Sequence, residues 1–195
     1  MTSLADIDLS HHDGAGLEAM LGEVADLYEV VYAEPPYNGG PLFSRGRFLE
    51  RTNVQKAAPG FALVTSRAAG RLVGFSFGFT FAAGRWWGGT TSPEPAAEVL
   101  TSPKFAVIEL VVAKTWRGQG LGRTLINALM SKRFEPYATL LSEPDAPARR
   151  IYDHWGWRHV ADVQPAVDAP YMHALVLPLT PSGPSGKASS TTSTT

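Results

Sequence analysis

One stretch constrains this chain more than any other: ELVVAKTWRGQGLGRTLINALM, residues 109–130. It continues an apolar, β-branched run from Phe105 to Ala113 through a short polar connection. Three glycines at alternate positions, Gly118, Gly120 and Gly122, then open the next segment. The apolar run has the unbroken character of a central strand covered on both faces. Leu121, Leu125, Ile126, Leu129 and Met130 recur at helical spacing and predict a helix from about Gly120 to Arg133. A strand that passes through bare glycine backbone into a helix start presents unpaired N–H groups and the positive end of a helix dipole, a setting that favours phosphate oxygens. Arg117 and Arg123 flank it and can add charge-assisted hydrogen bonds.

Spacing separates the competing glycine-rich motifs. A P-loop requires GxxxxGK[ST], and no such lysine stands here. A dinucleotide fingerprint begun at Gly118 requires glycine where Arg123 stands, and the segment follows hairpin-forming strands instead of opening the first βαβ unit. The GxSxG match at residues 74–78 is the pattern of a hydrolase nucleophile elbow. Its alternation, however, continues through Phe79, Thr80 and Phe81 as a strand, so Ser76 is not expected to be a nucleophile.

Arg117, Gly120 and Gly122 fit Q/R-x-x-G-x-G/A, and the segment resembles the acyl-CoA loop of the GNAT superfamily of N-acetyltransferases. A second motif of that superfamily, roughly N-x-x-A-x-x-x-Y-x-x-x-G-F, is met in DAPARRIYDHWGW by Ala148, Tyr152, Gly156 and Trp157, with Asp145 where asparagine is usual. The two motifs cover residues 105–160. The resemblance implies an α/β (α+β) fold: a mixed, mostly antiparallel central sheet of six to seven strands flanked by about four helices, with a V-shaped splay at the central strand. It implies acetyl-CoA as acyl donor, held along Leu110, Val111 and Val112, by the loop Arg117, Gly118, Gln119, Gly120, Leu121, Gly122 and Arg123, and by Asp145 and Tyr152. It also implies direct transfer of the acetyl group to an amine, with Tyr152 as general acid toward the departing thiolate.

An alkylamine is mostly protonated at neutral pH, so the reaction needs a base. Glu109, a lone carboxylate in an apolar strand, is the first candidate, because desolvation raises a carboxyl group's pKa. Glu143 is the second, and water remains an alternative. Glu34, Tyr37, Phe43, Trp86 and Trp87 are candidate acceptor-site residues, the aromatic ones competing with a plain core role. The expected acceptor is a small-molecule amine, and the alternative function is a catalytically silent acyl-CoA-binding regulatory module.

The rest of the chain fits one α/β domain. Residues 15–33 and 44–52 carry helical spacing. Phe61–Ser66 and Leu72–Ala82 read as a hairpin around RAAGR. Ala138–Ser142, Trp157–Val163 and Met172–Leu179 read as strands, and Ala148–Trp155 as a short helix. Residues 1–179 are expected to form the domain. In residues 180–195, TPSGPSGKASSTTSTT, ten of sixteen are Ser or Thr, which predicts a disordered tail. With 17 basic and 18 acidic residues the net charge is −1, so a nucleic-acid partner is not expected. Apolar runs such as FSFGFTFAA are too short to span a bilayer, and no membrane association is expected. The absence of cysteine excludes a cysteinyl acyl-enzyme and suits a reducing cytoplasm. His11, His12, His154, His159 and His173 lack metal-motif spacing, so no metal is expected. A monomer or homodimer is expected.

Overall fold

A computed structural model describes residues 4–165, 167 and 169–179; the tail expected over 180–195 lies outside the described residues. Among the described residues eight strands form one sheet: β1 (Ile7–His12), β2 (Ala62–Ala68), β3 (Arg71–Phe81), β4 (Thr90–Ser92), β5 (Lys104–Val112), β6 (Tyr137–Ser142), β7 (Arg158–Gln164) and β8 (Met172–Pro178). Five α-helices accompany them among the described residues: α1 (Gly14–Tyr32), α2 (Arg45–Gln55), α3 (Ala97–Thr101), α4 (Leu121–Met130) and α5 (Pro147–His154). The sheet order is β1-β2-β3-β5-β6-β8-β7-β4, and only β5 and β6 pair in parallel. The sheet therefore exceeds the six to seven strands expected. β1 and β4 are its two edge strands, and a polar, partly exposed edge lacks the hydrophobic alternation that betrays a strand.

Local chemistry sets the boundaries. Asp13 caps α1 by accepting from the Gly16 N–H at 2.9 Å, and Ser44 caps α2 through the Arg47 N–H. The β2–β3 hairpin turns through Ala69 and Gly70, both at positive φ. Apolar faces then sort the helices onto the two sides of the sheet. Leu17, Val24 and Tyr28 of α1 and Phe48 of α2 pack on Leu63, Phe75, Phe77 and Val111. On the opposite side Leu121, Leu125, Ile126 and Leu129 of α4, with Tyr152 of α5, pack on Val64, Val73, Phe105, Val107, Leu140 and Leu175. Among the described residues no helix is long and apolar enough to cross a membrane.

Two irregularities of β5 place the site. β5 and β6 pair only over Lys104–Ala106 and Tyr137–Thr139. Beyond that point β6 is hydrogen-bonded to β8 alone, and β5 to β3 alone, so the two central strands part. The expected splay is thus present. The pairing of β3 with β5 also skips Ile108, with Phe77 opposite Glu109 and Gly78 opposite Val107. This bulge reverses the alternation. Phe105 and Val107 face α4, whereas Glu109 and Val111 face α1 and α2.

Candidate active site

The bulge aims Glu109 at the helices. Its carboxylate is 5% exposed and accepts from the Tyr32 hydroxyl at 2.8 Å and from the Arg51 guanidinium at 2.8 Å. Arg51 also donates to the Tyr28 hydroxyl and to the Leu42 carbonyl, so all three groups are fixed to the first two helices. Burial raises the Glu109 pKa above the ordinary carboxylate value, and Arg51 and the Tyr32 hydrogen bond oppose that rise without cancelling it. The bulge itself is held by the Ser76 hydroxyl, which donates to the Glu109 backbone carbonyl at 2.8 Å. Gly78 sits directly opposite, where a Cβ would run into the Ala106 carbonyl oxygen.

Around Glu109 the groups sense one another. Tyr152 is buried on α5 between Trp155 and Trp157. Its pKa is raised, first by burial and then by Tyr37 and Glu109. The Tyr37 hydroxyl is pushed up to about 12 by burial and by Glu143 and Glu109. Burial and Asp145 raise the Glu143 pKa. Tyr37, in the α1–α2 connection, thus lies within electrostatic reach of Glu109 on β5, Glu143 after β6 and Tyr152 on α5.

At the mouth of the splay the glycine loop leaves its backbone bare. Gly118 and Gly120 have φ of +74° and +90°. A Cβ at Gly118 would meet nothing within 4 Å, and one at Gly120 only a Leu4 methyl at 3.7 Å. Gly120 is also the N-cap of α4 and supplies no side-chain cap, so the first amides of the helix are left for another acceptor. These features fit a bound pyrophosphate.

The family profile described as the acetyltransferase (GNAT) domain matches residues 63–159. The chain belongs to the GNAT superfamily. A search of curated proteins finds no match. Solved structures show the fold. The ribosomal-protein-S18-alanine N-acetyltransferase from Escherichia coli is 15% identical, with 91% of this chain and 96% of that chain covered and a TM-score of 0.58. An aminoglycoside 6'-acetyltransferase of type Ii is 17% identical over 89% and 98%, also at 0.58. The PaiA N-acetyltransferase from Thermoplasma acidophilum, in complex with coenzyme A, is 11% identical over 89% and 99%, at 0.53.

Within this GNAT frame the residues singled out from sequence fall at several places. Leu110, Val111 and Val112 lie on the β5 segment that β6 leaves unpaired. Gly118, Gln119, Gly120 and Arg123 are exposed along the loop and the start of α4, while Leu121 is core and Gly122 faces Trp155. Asp145 is exposed just before α5. Arg117, expected beside the ligand, has its guanidinium occupied: it donates to the Val112 carbonyl at 3.0 Å and to both oxygens of Glu34, at 3.0 and 3.4 Å. Glu34, expected at the acceptor site, is thereby an ion-pair partner that ties the end of α1 to the glycine loop.

Phe43 stacks on Tyr32 and Tyr37 packs tilted against both, a three-ring cluster with centroids 4.5 to 5.2 Å apart, beside Glu109. Trp86 and Trp87 lie elsewhere on the same face, near the closed end of the splay. The Trp87 indole donates to Thr139 Oγ1 at 3.0 Å and its ring meets Phe81 edge-on. Trp86 covers the buried Lys104, whose ammonium donates to the Arg85 and Leu100 carbonyls. Both tryptophans therefore wall the loop after β3 onto the sheet. Sequence reasoning missed Arg51 and Tyr32. The available signal was Tyr28 and Tyr32 spaced four apart on the buried face of α1, where two hydroxyls need partners.

Proposed function

We propose that the protein moves an acetyl group directly from acetyl-CoA to a primary amine of a small molecule. The observation that carries this reading is the parting of β5 and β6 beside a bulge-borne Glu109. Unpaired β5 backbone at Leu110–Val112 would hold the pantetheine arm as an added strand, and the bare Gly118–Gly120 turn would hold the pyrophosphate.

Each proton has a place to go. Glu109, directly or through water, takes the proton that frees the amine lone pair. Attack of the freed amine forms the C–N bond and an oxyanion that a β5 amide would stabilise; the oxyanion then collapses, the C–S bond breaks, and the proton still surplus on the nitrogen leaves to water. Tyr152 keeps its proton firmly, since burial has raised its pKa. Its first role toward the sulfur is thus hydrogen-bond donation, with transfer following once a thiolate has formed in the same buried slot. The rim favours one cationic amine on a small body: it offers the partly exposed rings of Tyr32, Tyr37 and Phe43 and the half-buried Glu143. The named relatives act on an aminoglycoside and on a protein alanine, so the fold alone does not choose.

Acetyl-CoA at about 100 times its Kd should stabilise the protein by about 2.7 kcal/mol, read as a raised melting temperature. A panel of amines, followed by thiol release, should then find an acceptor, and Tyr152→Phe should lower kcat about 10²-fold or more while leaving acetyl-CoA affinity nearly unchanged. Thermal stabilisation with no thiol release for any amine would favour the silent binding module. An unchanged melting temperature would remove both readings.

A further inference from the structure

On β7 and β8 two imidazoles and a carboxylate gather whose spacing in sequence matches no metal motif. His159 Nε2 lies 2.8 Å from Asp162 Oδ1 and 3.0 Å from the Ala161 carbonyl oxygen, so a metal would displace its proton; His173 Nε2 lies 3.7 Å from the same Asp162 oxygen, and the two rings are 4.2 Å apart. One ligand atom from each residue falls within 4.8 Å of the others. Strand geometry explains the gathering. Asp162 and His173 are direct cross-strand partners and so share a face. Residues 159 and 162 would point to opposite faces of a regular strand, but the β7–β8 pairing skips Val160, and this bulge turns His159 onto the face of Asp162.

We propose that His159, Asp162 and His173 form a binding site for a divalent transition metal of the zinc class, gated by Arg149. Two imidazole nitrogens and one carboxylate oxygen are the donor set such ions take, whereas magnesium and calcium require mostly oxygen. The three residues stand on paired strands instead of loops, so little backbone ordering is needed to close them on an ion. Side-chain exposures of 37%, 47% and 26% leave room for water at the remaining coordination positions.

The gate follows from the proton on His173. Arg149 of α5 donates through Nε to His173 Nδ1 at 3.0 Å, so the neutral ring carries its proton on Nε2, the nitrogen that faces Asp162. A metal can take Nε2 only when that proton moves to Nδ1 and Arg149 withdraws. Asp153, one turn along α5 and already paired with Arg149, can hold the freed guanidinium. Arg149 thus opposes the metal twice, by its hydrogen bond and by its charge.

The test uses the full chain without a polyhistidine tag, stripped with chelator, and titrated calorimetrically with Zn²⁺ and spectroscopically with Co²⁺. Saturable one-to-one binding with visible Co²⁺ bands is expected, weakened about tenfold or more by Asp162→Asn or His173→Gln and unaffected by His11→Ala. Arg149→Gln should tighten it. If His173→Gln fails to fold by circular dichroism, the more exposed His159→Gln decides. No saturable binding to the intact protein, or equal affinity in the ligand variants, overturns the site; unchanged affinity in Arg149→Gln overturns the gate. None of these readouts depends on acetyl transfer.

Discussion

Glu109 carries two opposed influences, and their balance sets the pH dependence of any reaction it serves. Burial favours its neutral form, Arg51 and Tyr32 favour the ionised form, and burial prevails. A base works only when ionised, so kcat/KM should fall as pH drops through a value above the ordinary carboxylate pKa of about 4.3. Removing the cation disfavours ionisation further, and Arg51→Met should shift that acid limb to higher pH. Glu109→Gln should lower the rate about 10²-fold and abolish the limb. A Glu109→Gln enzyme that keeps both the rate and the limb would assign the base role to Glu143 or to water. The sequence displayed Glu109 because a carboxylate in an apolar strand needs a reason to be there. It did not display Arg51, a helix residue in a polar segment whose partner lies 58 positions away.

The element that gathers the candidate site is β5, and its geometry rests on one skipped residue. Apolar continuity made the strand readable from sequence, as glycine spacing did for the loop and α4. The bulge was not readable in that way, because it arises from strand pairing: Gly78 permits close approach to Ala106, and Ser76 satisfies the Glu109 carbonyl. The same blindness hid the His159, Asp162 and His173 cluster, which also depends on a bulge. Ser76 gives the element-scale prediction. Loss of a nucleophile costs on the order of 10⁶ in kcat, but Ser76 is a bulge support. Ser76→Ala should instead leave a buried carbonyl unsatisfied and cost about 1–3 kcal/mol of stability, with only a modest fall in turnover. Chemical denaturation and steady-state rates on the same preparation separate the two outcomes, and collapse of turnover at unchanged stability would restore the nucleophile reading.

At the scale of the molecule, a sheet that parts in its middle must be pinned at one end. Here the pin is Arg133 and Glu135, in the connection from α4 to β6. Glu135 accepts from Arg133 at 2.6 and 3.1 Å, from Thr80 Oγ1 of β3 at 2.6 Å and from the Phe134 amide. Arg133 in turn reaches the Gly60 carbonyl and lies over the Phe105 ring of β5 at 4.2 Å. The closed end of the V is thus tied across β3, β5 and the entry to β6. Burial alone would raise the Glu135 pKa, but the hydrogen bonds and the guanidinium outweigh it and hold the carboxyl down at about 2. A folded pKa below the unfolded value contributes stability that is present above the unfolded pKa, near 4.3, and is lost as pH falls toward the folded one. After allowance for solvent screening that contribution is about 2 kcal/mol at neutral pH. Glu135→Gln should therefore lower stability by about that amount at pH 7, and the difference from the unmodified protein should shrink steadily between about pH 4 and pH 2. Urea unfolding at pH 7 and at pH 3 measures both. Equal stability of the two proteins at pH 7 would mean that the splay is held closed at its base by strand pairing and apolar packing alone.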